Sequence, residues 1–344
     1  MKTRRLNQDE IDVAAEILLA GGLVAFPTET VYGLGADGLN QTAVKNIYSA
    51  KGRPSDNPLI LHVSNREMLE SIVDEIPLVA EKLMAAFWPG PLTLIFKKSD
   101  AVPSEVSASL PTVAVRMPDH PMALKLIERT GRPIAAPSAN RSGRPSPTSA
   151  EHVLEDLDGH IEAVLMGGCS QVGMESTIVD VSGAVPCLLR PGGLTLEEVR
   201  KIAPMIVAGG ESAKEEAPRA PGMKYRHYAP DAMVVLLEGE GEQQLDHLET
   251  AYRSKQYEAP MALMASQELL ESLETRKTDF KLTFFSLGTQ QQDKMLGKNV
   301  YAYLREADQE GIRTVFVESF KEENMGRTIM NRLKKAAHAL EENQ

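Results

Sequence analysis

Lys51, Arg53, Arg116, Arg141, Arg144 and Arg190 place cations in loops that are otherwise rich in Gly, Pro, Ser and Thr. The loops are PTETVYGLG from Pro27, KGRPSDNPLILH from Lys51, LPTVAVRMP from Leu110, APSANRSGRPSPT from Ala136, and the pair MESTIVD from Met174 and LLRPGG from Leu188. Guanidinium forks and ammonium groups are the standard clamps for phosphate and carboxylate, and neighbouring hydroxyls add donors. A single loop charge is usually solvated surface. Six of them among glycines, prolines and hydroxyls, on a chain of net charge -11, point to a common pocket for an anion.

Other chemistries lack their residues. There is no G-x-x-x-x-G-K-[ST] phosphate loop, and Gly131-Arg132 and Gly143-Arg144 do not replace one. No G-x-S-x-G elbow is present, and no sequence neighbour supplies a base for Ser138 or Ser176 as nucleophiles. His62 follows the apolar run Pro58 to Leu61, where a lone histidine is more often structural than catalytic. Cys169 and Cys187 lack zinc-site spacing and are too few for a disulfide framework, so they read as small buried hydrophobes of a protein from a reducing compartment.

A pocket made from distant loops needs a scaffold. Asn7 and Glu10 predict a capping box for a helix that keeps its 3.6-residue period through Leu19 and stops at Gly21-Gly22. Leu23–Phe26, Leu92–Phe96, Thr112–Val115, Pro133–Ala136 and Ser176–Val179 read as short buried strands that end in polar residues or proline. Helical patterns at Pro77–Phe87 and His120–Thr130 lie between them, which predicts an α/β fold with a mixed sheet. The polar loops then fall at strand ends, where α/β proteins gather binding groups.

From Ala208 to Asp231 the apolar period stops, and Gly, Pro and charge dominate. This linker contains Met223-Lys224-Tyr225-Arg226-His227-Tyr228, an aromatic and cationic run that suits either a tether or a lid over a pocket. Beyond it MVVLLEG, MALMAS, KLTFFSLG and TVFVES alternate with helical stretches such as Gln243–Arg253 and Met325–Leu340. No G-x-G-x-x-G follows the first of these strands, so a dinucleotide role is unsupported. At 344 residues, two domains are the natural expectation. The acidic balance argues against a general polyanion binder, and the charged N-terminus with no long apolar run predicts a cytoplasmic protein without membrane association.

The loops in their order and spacing resemble the threonylcarbamoyl-AMP synthase family in its long form. The specific segments are PTETVYGLG, KGRPSDNPL, SANRSGRPSPT, STIVD, LRPG and the linker signature PGMKYRHYAP from Pro221. The resemblance implies a YrdC-like mixed twisted sheet with helices, linked to a small Rossmann-like open α/β domain. It divides the chain into a catalytic domain at 1–207, a linker and active-site lid at 208–232, and a C-terminal domain at 233–344. It further implies a nucleotidyltransferase that forms L-threonylcarbamoyl-AMP and pyrophosphate from L-threonine, bicarbonate and ATP, with Mg²⁺ accompanying ATP. The adenylate would pass to tRNA-modifying transfer proteins, with a weak tRNA contact, for modification of adenosine beside the anticodon.

By position in the family's motifs, Thr30, His62, Arg116, the main chain of Ala136, and Ser176 would bind threonine. Arg53, Asn57, Thr112, Ser138, Ser146, Arg190 and His227 would bind ATP, with Lys51 and Arg53 acting in the chemical step. Two rivals stay open on sequence alone: an RNA-binding module that uses the basic loops, and a related carbamoyl-adenylate enzyme that takes carbamoyl phosphate.

Overall fold

The computed structural model describes residues 2–209, 228–276 and 279–337. They fall into two compact units. One holds the residues up to 209 except Gly143–Pro145; the other holds Gly143–Pro145 together with the residues from 228 onward.

The first unit is built on an eleven-stranded mixed sheet. Its order is Arg4–Leu6, Ala163–Leu165, Val24–Phe26, Gly33–Asp37, Ile134–Ala135, Ile60–His62, Thr112–Arg116, Leu92–Lys97, Thr177–Asp180, Cys187–Arg190 and Val207–Ala208. The expected strands are present within a residue or two. Gly33–Asp37 and Ile60–His62 join them, both buried throughout. Gly-Leu-Gly-Ala-Asp has neither β-branched residues nor alternation, so nothing local marks it as a strand; it forms because Val24–Phe26 and Ile134–Ala135 pair with it on either side.

Helices close both faces. Gln8–Glu10 make a short 3-10 turn ahead of the helix Ile11–Leu19, and Glu10 Oε2 accepts the Asn7 N–H at 2.9 Å, as a capping box requires. Pro77 caps Leu78–Phe87, and Gly131, with φ of 65°, ends Pro121–Thr130 in the left-handed conformation. Leu34, Ile47, Leu61, Leu94, Phe96 and Val115 belong to one apolar core; Leu18, Val24, Phe26, Leu126 and Leu165 belong to a second. Neither cysteine is buried. Cys169 is exposed in a loop and Cys187 is half-buried on a strand near the edge of the sheet, which corrects the expectation of two core thiols.

The second unit is a four-stranded parallel sheet in the order Met233–Leu237, Thr314–Glu318, Met261–Ala265, Leu282–Ser286. The helices Glu242–Ser254, Gln267–Thr275, Asp293–Gln309 and Asn324–Ala337 alternate with these strands. Leu237, Leu248, Leu263 and Phe316 fill part of its core. Arg305 Nη2 donates to Pro145 O at 2.6 Å, Arg144 lies 3.5 Å from Asp308, and the Ala229 N–H donates to Gly143 O at 2.9 Å. Tyr228 stacks on Tyr301 with ring centroids 5.3 Å apart.

Tyr32 couples the PTETVYGLG turn to a distant loop of the first unit. Its buried hydroxyl donates to Gly168 O at 2.7 Å and accepts the Gly167 N–H at 3.1 Å, and burial pushes its pKa up to about 12. Tyr32→Phe should lower the unfolding free energy of this unit by about 1 kcal/mol, measured by urea unfolding.

Candidate active site

The strand Val24–Phe26 stops at Pro27, which has no N–H for the sheet, and the next residues fold into a tight turn. Thr28 Oγ1 accepts the N–H groups of Thr30 and Val31 at 3.3 and 3.2 Å and donates to Val31 O at 2.6 Å. That turn carries Glu29 and Thr30, both buried, toward the end of the strand Thr112–Arg116.

Arg116 is 4% exposed, with two nitrogens in hydrogen bonds and the third in an ion pair. Nε donates to Gly90 O at 3.1 Å, Nη1 donates to Thr30 Oγ1 at 2.8 Å, and Nη2 lies 2.5 Å from Glu29 Oε1. A buried guanidinium is tolerable only when its charge is met, and Glu29 meets it. Glu29 was not among the expected residues. Its signal in the sequence is a carboxylate between two threonines directly after a buried strand.

Strand register aligns the other groups with this pair. His62 lies opposite Arg116 on the parallel strand Ile60–His62, and Thr93 lies opposite it on the antiparallel strand Leu92–Lys97. Burial, and then the Arg116 charge, pull the His62 pKa down to about 3, so the imidazole is neutral at physiological pH. Its ring stands edge-on to Phe26, with centroids 6.0 Å apart. Thr93 Oγ1 is 2.7 Å from Ser176 Oγ, and Arg190 Nη2 donates to Ser176 O at 2.8 Å and reaches Ser176 Oγ at 3.3 Å. A Cβ on Gly192 would fall 2.4 Å from Glu175 O and from the Ser176 and Thr177 backbone, so only glycine lets the LRPG segment lie against Ser176. Thr30, His62, Arg116 and Ser176 therefore share one buried row across the sheet. Ala136 enters through its main chain: its N–H donates to Ile60 O at 2.9 Å, which leaves the carbonyl to offer.

The residues expected to bind ATP line the adjoining loops. Lys51 ends the helix Gln41–Lys51 and is buried; its ammonium donates to the main-chain oxygens of Ser138 and Asn140, while its own carbonyl accepts the Ser142 N–H. It thus fixes the loop that presents Ser138, whose hydroxyl donates to Asn140 Oδ1 at 2.5 Å. Arg53 is half-buried and wraps onto Asn57 O and Pro58 O, the latter at 3.0 Å. The side-chain Oδ1 of Asn57 is buried with no hydrogen-bond partner, the state of an acceptor kept for a ligand. Ser146 Oγ donates to Glu175 Oε1 at 2.6 Å, and Thr112 is half-buried at the start of its strand.

The six loop cations do not act alike. Lys51, Arg116 and Arg190 are buried among polar partners, and Arg53 is half-buried. Arg141 is exposed, and Arg144 belongs with the second unit. His227 lies outside the described residues, as do residues 221–226 of the linker signature. Among the described residues no group of three or more His, Cys, Asp or Glu side chains could hold a metal ion, and no helix is long and apolar enough to cross a membrane.

Two family models match this chain. The Sua5/YciO/YrdC model, described as telomere recombination, matches residues 16–192; the model described as the C-terminal domain of threonylcarbamoyl-AMP synthase matches residues 194–338. The threonylcarbamoyl-AMP synthase of Pyrococcus abyssi is 45% identical over 97% of this chain and 95% of its own length. That of Bacillus subtilis is 46% identical over 96% of this chain and 94% of its own. The crystal structure of P. abyssi Sua5 complexed with L-threonine superposes with a TM-score of 0.89, at 43% identity and 98% coverage of both chains.

The neutral state of His62 has a pH signature. Between pH 6.5 and about 3 the unfolded chain binds a proton at this imidazole that the folded chain refuses, so stability must fall as pH drops through that window. His62→Phe should lose less stability than the parent between pH 7 and pH 4, as read by urea unfolding at both values.

Proposed function

The chain belongs to the Sua5/YrdC/YciO family in its two-domain threonylcarbamoyl-AMP synthase form, and we propose that its first unit joins L-threonine, bicarbonate and ATP at the site described above. The observation that carries this reading is the buried Arg116–Glu29 pair. Two of the five guanidinium N–H groups, on Nε and Nη1, make hydrogen bonds, and Nη2 meets Glu29 only as an ion pair, so donors remain for an incoming carboxylate. Both Glu29 oxygens lack hydrogen-bond donors and provide acceptors for an amine. An amino acid offers a carboxylate and an amine a short distance apart, as a paired cation and anion require.

The threonine amine takes up bicarbonate to form a carbamate with loss of water. A carbamate oxygen then attacks the α-phosphorus of ATP: the new P–O bond forms, the bond to the bridging oxygen breaks, and pyrophosphate leaves with that electron pair. No protein nucleophile is needed, so catalysis rests on positioning and charge. Thr30, His62, the Ala136 carbonyl and Ser176 would orient the threonine half. Arg53, Asn57, Thr112, Ser138, Ser146 and Arg190 would hold ATP, with His227 completing that set from the linker. Lys51 would serve the chemical step by fixing the Ser138 loop and adding positive charge near the phosphates.

Mg²⁺ would accompany ATP and offset the charge of its phosphates. The adenylate is reactive and suits transfer within a tRNA-modification system in the cytoplasm.

Pyrophosphate release by the purified protein with ATP and Mg²⁺ tests the reading: it should require both L-threonine and bicarbonate, and release without either would overturn it. Losing a buried charged hydrogen bond costs about 2 to 5 kcal/mol, so Arg116→Ala should cut kcat/KM for threonine roughly 30-fold or more with the KM for ATP little changed. Arg53→Ala should show the reverse pattern. Lys51→Met should lose both ATP use and thermal stability.

A further inference from the structure

The second unit carries a cavity of about 760 Å³ that the reaction above leaves unused. It opens at the C-terminal ends of the four parallel strands: Gly239 to Gly241 follow the first, Glu268 the second, Gln290 and Gln291 the third, and Ser319 to Lys321 the fourth. Open parallel sheets take their ligands at this edge.

Two buried side chains define its chemistry. Gln244, on the helix Glu242–Ser254, is 2% exposed, and its Nε2 donates to Gly239 O and Ser319 O, both at 2.8 Å. Turning the amide over would set its oxygen against two carbonyls, so the orientation follows from the partners. Oε1 is then left buried with no partner, on a residue that lines the cavity. Such an oxygen needs a donor, and the described residues supply none. Glu318, 3% exposed at the end of its strand, accepts from the Ser266 N–H at 2.5 Å and from Gln290 Nε2 at 2.8 Å. Burial holds its carboxyl above the usual carboxylate range, a state that a nearby positive charge would relieve.

The surrounding charge is mostly negative. Glu240, Glu268, Glu318 and Glu323 line the cavity against a single cation, Lys321, which pairs with Glu240 at 3.3 Å. The N-terminal turns of Glu242–Ser254 and Gln267–Thr275 carry the protein's own acids, Glu242 and Glu268; the helix Asn324–Ala337, whose Asn324 and Gly326 also line the cavity, has no acid in its first turn, but Glu323 directly precedes it. The acceptors are also spread over a space far larger than an ion, and among the described residues no cluster suits a metal.

We propose that this cavity binds a small organic amine in its ammonium form, with one N–H donating to Gln244 Oε1 and the charge met by Glu318 and the acids around it. Titration calorimetry of the full-length protein with spermidine as the probe, and inorganic phosphate as the anionic control, tests the proposal. Saturable one-to-one binding of spermidine is expected. It should weaken tenfold or more in Gln244→Leu and Glu318→Gln and severalfold in Glu323→Gln, an exposed rim substitution that leaves the core intact. Glu75→Gln, on the exposed surface of the first unit, should leave it unchanged. Absent binding, binding equal in all variants, or saturable phosphate binding that depends on Gln244 would each overturn the proposal.

Discussion

A guanidinium taken out of water must be met by a carboxylate and by acceptors, and Arg116 draws these from segments far apart in the chain. Glu29 and Thr30 come from the turn after one strand, Gly90 from the approach to another, and His62 from the strand alongside. Removing the charge from any of these arrangements leaves a buried partner unmatched. The demand explains why the Pro27–Val31 turn is locked by Thr28 and why His62 stays neutral: a second cation beside Arg116 would raise the cost of burying the first. The half of the site proposed for threonine is thus organised by the protein's own groups.

The half proposed for the nucleotide is organised by a different device. Lys51 spends its ammonium on main-chain oxygens of the 138–140 loop, and Arg53 spends part of its guanidinium on Asn57 and Pro58 carbonyls. Cations that would otherwise point at solvent hold two polar loops in place. Lys51 and the Ser138 hydroxyl meet the same Asn140 side-chain oxygen, and Arg53 holds the main chain of Asn57. Preorganising such groups removes the reorganisation that a charged transition state would otherwise have to drive.

Much of this was legible in the sequence because it is local. Strands such as Leu92–Phe96 and Thr112–Val115 are continuous apolar runs, and the stop at Gly131 needs only its own left-handed backbone. What stayed hidden depends on partners distant in the chain. Gly33–Asp37 is a strand only because its neighbours pair with it, and Glu29 matters only because strand register brings Arg116 to it. Lys51 reads as a phosphate ligand until its burial against loop carbonyls shows that it also holds structure. Arg144 reads as one of a set with Arg141, yet three residues of backbone place it with Asp308. Composition reports charge, and only the fold decides which charges are met.

The two units handle charge in opposite ways. In the first, buried cations gather around hydroxyls and amides, and the Glu29 carboxylate facing Arg116 balances it. In the second, carboxylates dominate the strand-end cavity, and its lone lysine is already paired. Both place their polar groups at strand ends, where the backbone leaves the sheet and side chains converge without costing core packing. The same architectural edge therefore carries polar groups of opposite sign in one chain, because that sign is set by side chains at loop positions rather than by the sheet beneath them.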